Sequence, residues 1–562
     1  MSGPDRSSDR AGERRDGRPA QLTVHGRIVT LAGERGLGEV EAIAIADGRV
    51  IAAGSTSEIE AICGPKTRRL ELGPAEIALP GLTDSHLHLA DAAIAAHELD
   101  LSGAATLAEG LGLVAARHER LAPDAWLTGH GWDAARWGGW PTSGDLADAA
   151  PGRRVALWAH DHHAIWISDR VLTEAGIGPM SADPAGGAIR RLGDGRPTGI
   201  LHEVATARAT SRIPVPTQEM YEAALPAICS DLVRLGVVAV HDPGVLGADP
   251  LVDGPLTAYA VMADAGRLPL RVHASVRAEG LAASIERGLR SGSVLGGDPA
   301  GRARFGWLKL FADGSLGSRT AAMLEPFAPL ADNPDSNHDR GIWVTEPAVM
   351  ADLAVRAAEA GIATQIHGIG DAAVRAALDT FEPAATRSLG LRARVEHAQL
   401  VDPGDLPRFG RLGIVASIQP VHLRSDAAQA RTSWGERAER SGYAWRSLLD
   451  NGATLAFGTD APVEPIDPWP GIALAIGRHW PAWPAGSGPF GPAESLTLAD
   501  ALRGACLGPA QAEGSPDRGR LIAGQRADLV VIPASSVERD GARLAGVRPR
   551  LVMIDGQIAF EA

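Results

Sequence analysis

Eight short apolar segments recur along this chain, each closing on polar residues or leading into them: Leu82 to His88, Gly236 to His241, Leu270 to Val276, Trp307 to Asp313, Ala363 to His367, Arg394 to His397, Ile414 to Gln419 and Leu455 to Asp460. From the second onward their starts are 34, 37, 56, 31, 20 and 41 residues apart, and most of these gaps hold a strand, a helix and two loops. Alanine-rich helical stretches lie between them, as in Met350 to Glu359 and Asp371 to Phe381. Eight such units predict an α/β chain folded as a (β/α)8 barrel, a fold whose reactive residues stand at the C-terminal ends of the strands. A chain of 562 residues is long for one domain but suits a barrel carrying an insertion.

The insertion is expected after the first strand, over about residues 91–230. Six of the thirteen tryptophans fall there, from Trp126 to Trp166, together with His160, His162 and His163. We expect this segment to fold over the barrel mouth with its aromatics partly lining a substrate pocket. Packing within the insert's own core is the competing reading for each tryptophan. Alternating strands flank the barrel at 22–31 and 42–52, the second with an Asp47-Gly48 turn, and again at 527–532 and 551–559. They predict a small β-sandwich built from both chain ends, 21–78 with 515–562, around a barrel at 79–514; two unrelated appendages are the alternative. Residues 1–20 mix Arg, Asp, Gly and Ser without an apolar run, as in a disordered tail and unlike a signal peptide.

Acidic side chains outnumber basic ones by 68 to 54, a net charge of −14, so nucleic acid and anionic membranes are not expected partners. No stretch reaches the roughly 18 uncharged apolar residues of a membrane span. Three scattered cysteines suggest neither a disulfide framework nor a thiolate zinc site, and fit a reducing cytoplasm. The expected partner is a small-molecule substrate, with a homodimer left open.

His86 and His88 stand two apart near the end of the first barrel strand, where alternate side chains share a face and both imidazoles can meet one metal. At the later strand ends come Lys309, His367, His397 and Asp460. Zinc suits imidazole with carboxylate, and manganese, iron or nickel could substitute. Lys309 is one of only two lysines, with Lys66, in a chain of 52 arginines. Either chance and a snorkelling side chain put it in an apolar strand, or the position needs a primary amine that Arg cannot supply.

The stretches LPGLTDSHLHL (79–89), HDHHAIWIS (160–168), KLFADGSLGSRTA (309–321), IHGIGDAA (366–373), VEHAQL (395–400) and GTDAPV (458–463) together resemble the amidohydrolase superfamily. More narrowly, they are similar to its family 3 branch, which includes N-substituted formamide deformylase-like proteins. The resemblance implies that His86 and His88 bind the more buried of two divalent ions with Asp460, and that His367 and His397 bind the second. It further implies that Lys309, carbamylated by carbon dioxide, bridges the two. The expected reaction is hydrolysis of a C–N bond in a non-peptide N-substituted amide, formamide or carbamate by metal-bound hydroxide, with Asp460 as general base and then general acid. His163, Arg319 and His422 are candidate substrate contacts. Two alternatives stand beside this. A mononuclear deaminase of the same superfamily would need an acid near His367, where Asp371 is the candidate; a barrel without ligands would be a non-enzymatic scaffold.

Overall fold

In the computed structural model, residues 19–33, 36–244, 254–329, 340–387, 389–537 and 541–562 are described. Eight parallel strands follow one another in a single sheet: Leu82–Asp84, Val237–Asp242, Arg271–Arg277, Ala303–Phe311, Thr364–Gly368, Arg394–His397, Val415–Ile418 and Thr454–Phe457. Each lies within one of the eight apolar segments or overlaps it. The strands are buried almost throughout, because a sheet covered by helices outside and filled by side chains inside leaves no wet face. The segments at the C-terminal ends of the first and eighth strands bond directly, Ser85 N to the Phe457 carbonyl at 2.8 Å and Asp460 N to the His86 carbonyl at 2.6 Å. Gly458 makes this approach feasible, since a Cβ there would stand 2.5 Å from His86 N.

Residues 99–203 form a separate six-stranded mixed sheet. Its boundaries are narrower than 91–230. The helix Leu89–Ala95 and the long helix Gln218–Arg234 pack in the barrel's own apolar core, through Leu89, Ala92, Leu225 and Leu232. Trp132 and Trp166 are fully buried inside the insert with Leu127 and Val155, so these two tryptophans are primarily core residues.

The chain ends meet as expected, though the hydrogen bonding describes one branched sheet and not two sheets face to face. In it Ala20–Val29 pairs with Glu39–Ala46, Cys63–Glu71 and Glu76–Pro80, and Leu529–Pro533 extends it from the other end of the chain. The Asp47-Gly48 turn falls between Glu39–Ala46 and Arg49–Gly54. The tail expected over 1–20 lies outside the described residues up to 18, and Ala20 already begins a strand. Among the described residues no helix is long and apolar enough to cross a membrane.

Candidate metal centre

The residues expected at the strand ends converge. His86 Nε2 and His88 Nε2 lie 3.3 and 3.4 Å from the same oxygen of Asp460, Oδ1. Ligand atoms of His86, His397 and Asp460 all fall within 4.8 Å of one another. His397 stands beside both groups, its ring centre 5.0 Å from that of His86 and 4.5 Å from that of His367. Donors bonded to one tetrahedral zinc at about 2.0–2.1 Å stand about 3.3 Å apart, the spacing seen around Asp460.

The second nitrogen of each imidazole decides what the first can do. His86 Nδ1 donates to Glu396 Oε2 at 2.5 Å, and His88 Nδ1 to the Gly244 carbonyl at 3.2 Å. His397 Nδ1 donates to Gln419 Oε1 at 2.7 Å. His367 is bonded through the other nitrogen, Nε2, to the Gly314 carbonyl at 2.9 Å. A neutral imidazole donates from one nitrogen only, so each keeps one lone pair: Nε2 in His86, His88 and His397, and Nδ1 in His367. Burial, with neighbouring cationic groups, holds His367 and His397 well below the ordinary imidazole range, which keeps them neutral as ligands must be.

Local backbone supports this placement. His397 and Asp460 both adopt left-handed φ, 70° and 62°, costly conformations that persist where surrounding contacts impose them. Asp84 supplies some of those contacts. Its carboxylate accepts from His86 N, Thr459 N and Thr459 Oγ1 at 3.1, 3.0 and 2.6 Å, tying the first strand end to the eighth.

Lys309 is buried at 1% exposure, and its Nζ has no hydrogen-bond partner among the described residues, resting 4.7 Å from the Phe311 ring centre. It does not snorkel. Nor does it pair with Asp313, whose carboxylate accepts the backbone N–H groups of Ala322, Ile369 and Gly370. Burial pulls the Lys309 amine down to about 7, with the Arg277 and Arg394 guanidiniums adding to the effect.

His422 and His163 line an open cleft together with His367, His397 and Asp460; Arg319 does not. His422 Nε2 lies 3.1 Å from Asp460 Oδ2, the oxygen not shared by His86 and His88. His163 Nδ1 is paired with Glu203 at 2.9 Å, and its ring lies 5.0 Å from that of His367. Arg319 departs from expectation: its guanidinium sits over Phe327 and donates to the Ala328 carbonyl and Ser433 Oγ. Asp371 is occupied in accepting Leu324 N and Ala372 N at the start of the helix Asp371–Thr380 and does not line the cleft, which removes the acid that a deaminase would need there.

Residues 76–560 match the amidohydrolase family. The chain belongs to the amidohydrolase family. This amidohydrolase is 30% identical over 550 residues to the Bacillus subtilis protein YtcJ, an alignment covering 96% of this chain and 99% of that one. It is 27% identical over 546 residues to the N-substituted formamide deformylase of Arthrobacter pascens, covering 93% and 95%. Among solved structures it resembles an uncharacterized metal-dependent hydrolase from Pyrococcus horikoshii, with TM-score 0.71, 27% identity and coverage of 92% and 99%. The branch expected from the motifs is thus the one found.

The main residue missed from the sequence is Glu396, which sets the His86 tautomer. Burial pushes its carboxyl up, but the Arg394 guanidinium and His86 outweigh this and hold it well below the usual carboxylate range. The available signal was a charged pair, Arg394 and Glu396, at alternate positions of a buried strand. Replacing Glu396 by Gln should weaken metal binding by about 10–100-fold, as loss of outer partners of ligating histidines does; competition with a chromogenic chelator measures it.

Proposed function

We propose that this amidohydrolase hydrolyses a C–N bond in a non-peptide N-substituted amide, formamide or carbamate, using two divalent ions, zinc foremost, held by His86, His88, His367, His397 and Asp460. The observation that carries the reading is the set of four buried or nearly buried imidazoles, each with one nitrogen bonded to a protein oxygen, three of them grouped about Asp460 and the fourth, His367, beside His397. Such locking costs conformational freedom and gives a barrel no stability that apolar side chains would not. It does prepare ligands.

Lys309 completes the donor set. Its unpartnered amine, brought down to about 7 by burial, has a substantial neutral fraction at physiological pH. A neutral amine attacks carbon dioxide at carbon, forms an N–C bond as one C=O π bond opens onto oxygen, and releases one proton, leaving a carbamate whose two oxygens share one negative charge. A free ammonium would repel two cations at the same place.

Bound divalent ions supply acidification of water and polarisation of the substrate carbonyl. Asp460 accepts the proton released from water and returns it to the departing nitrogen, which leaves poorly until protonated. His422, at 3.1 Å, orients the second oxygen of Asp460 for this exchange. Burial disfavours charge on His163, but Glu203 and Asp161 outweigh it and bring the imidazole up to about 9, so with Nδ1 held by Glu203 the protonated ring keeps its Nε2–H for a substrate acceptor. Trp140 of the insert and the edge of the buried Trp132, with Ser425 and Gln429 of the barrel, line a cleft suited to a bulky substituent.

A hydrolysis screen over N-formyl, N-acyl and carbamate compounds tests the reaction class. Release of free amine from at least one class by metal-loaded protein is expected; turnover only of amino-heterocycles with ammonia release would replace the reading by deamination. Because insert residues wall the cleft, bound substrate should slow hydrogen exchange within 126–166. Protection confined to barrel loops would limit the insert to scaffolding.

A further inference from the structure

Beneath the metal ligands, the barrel interior holds charged and polar side chains where this fold usually packs branched hydrocarbon. His241 on the second strand and His273 on the third share one oxygen of Glu513, Oε2, at 2.9 and 3.1 Å. Glu513 closes the helix Leu498–Ala512, and its other oxygen is paired with Arg518. These three groups have the spacing of a metal site. Their protonation argues against one. Arg394 Nη1 lies 2.9 Å from His241 Nδ1, and a guanidinium only donates, so Nδ1 carries the lone pair and Nε2 the hydrogen given to Glu513. His241 has no second lone pair for a cation, and Arg518 already balances the carboxylate.

The same bonds continue upward. Arg394 Nε lies 2.8 Å from Glu396 Oε1, while Nη2 donates to Glu396 Oε2 at 3.1 Å, to Ser417 Oγ at 2.7 Å and to the Ser85 carbonyl at 2.6 Å, beside His86. Glu396 in turn fixes His86. Glu513, His241, Arg394, Glu396 and His86 are all buried, so no solvent can replace a lost link.

We propose that Glu513 and His241 are positioning residues for the metal centre. Acting through Arg394 and Glu396, they orient His86 so that Nε2 faces the ion. The segment leaving the barrel's last helix thereby sets a ligand on its first strand. This rests on the reading of His86 as a ligand. His273 touches the same carboxylate but makes no bond to Arg394, and so lies off the path.

The test uses full-length protein loaded with Zn2+, reading the dissociation constant by chelator competition, with the visible spectrum of Co2+-loaded protein as a second signature. Glu513→Gln and His241→Phe should each raise the dissociation constant about tenfold, the low end for outer partners of a ligating histidine, and shift the Co2+ bands. His273→Phe should lower the melting temperature while leaving both signatures unchanged. Melting temperatures that fall alike in all three variants with unaltered metal affinity would overturn the proposal. So would a further Zn2+ per chain lost on His273→Phe, which would make the trio a metal site. His86→Ala serves as reference: if it leaves affinity unchanged, the ligand assignment itself fails, an outcome distinct from a broken path. Glu513→Gln preserves shape and keeps the test decisive if His241→Phe does not fold.

Discussion

Replacing Lys309 by Ala should lower metal content from two ions to one and reduce turnover at least about a hundredfold, since stabilisation by a second Lewis acid is worth several kcal/mol. Lys309→Arg should do no better. The guanidinium keeps the positive charge but cannot form a carbamate, and it would bring a fixed cation among the ligands. A short carboxylic acid supplied to Lys309→Ala should restore part of both metal content and activity, because it offers two oxygens of the same charge in the vacated space. The geometry makes this a sharp test. The amine is buried without a hydrogen-bond partner, and Asp313, the nearest conventional explanation for a strand-end lysine, already accepts three backbone donors. A structural lysine would give the opposite pattern, with Arg tolerated and added acids inert. An active Lys309→Arg enzyme with full metal content would remove the carbamate and leave a single-ion site.

Asp460→Asn should retain the fold and lose turnover by about 10²–10⁴-fold, the usual contribution of general acid–base catalysis. The amide preserves shape but cannot take up a proton. In the protein as folded, Asp460 is held far below the usual carboxylate range: burial opposes ionisation, but His86, His422 and His88 around it prevail. It is therefore an anion at rest. Steady-state kinetics together with metal content of the variant separate loss of the base from loss of a ligand. Near wild-type turnover would assign the base elsewhere.

Much of this was legible in the chain because the barrel writes itself locally. A short buried segment that closes on polar residues or leads into them needs no knowledge of distant contacts, and each of the eight strands lies in or overlaps such a segment. His86 with His88, and Asp460 after Gly458, were legible for the same reason. What was not legible depends on partners far apart in sequence. Glu396 meets His86 across 310 positions, and His241 meets Glu513 across 272. The expected insert, about 91–230, takes in most of the helices Leu89–Ala95 and Gln218–Arg234, because an apolar stripe does not say which core it enters. Arg319 was misread for a related reason: a residue inside a polar loop motif points wherever its backbone turns, and its left-handed φ of 55° with the Phe327 ring takes it away from the cleft.

The most direct test of the metal centre is elemental analysis of catalytically active protein beside the His86→Ala, His88→Ala double variant. The first should hold two divalent ions per chain, and the second should lose the ion shared with Asp460, because one remaining imidazole and a carboxylate rarely hold zinc. Unchanged occupancy in the double variant, or full activity in protein free of metal, would contradict this assignment.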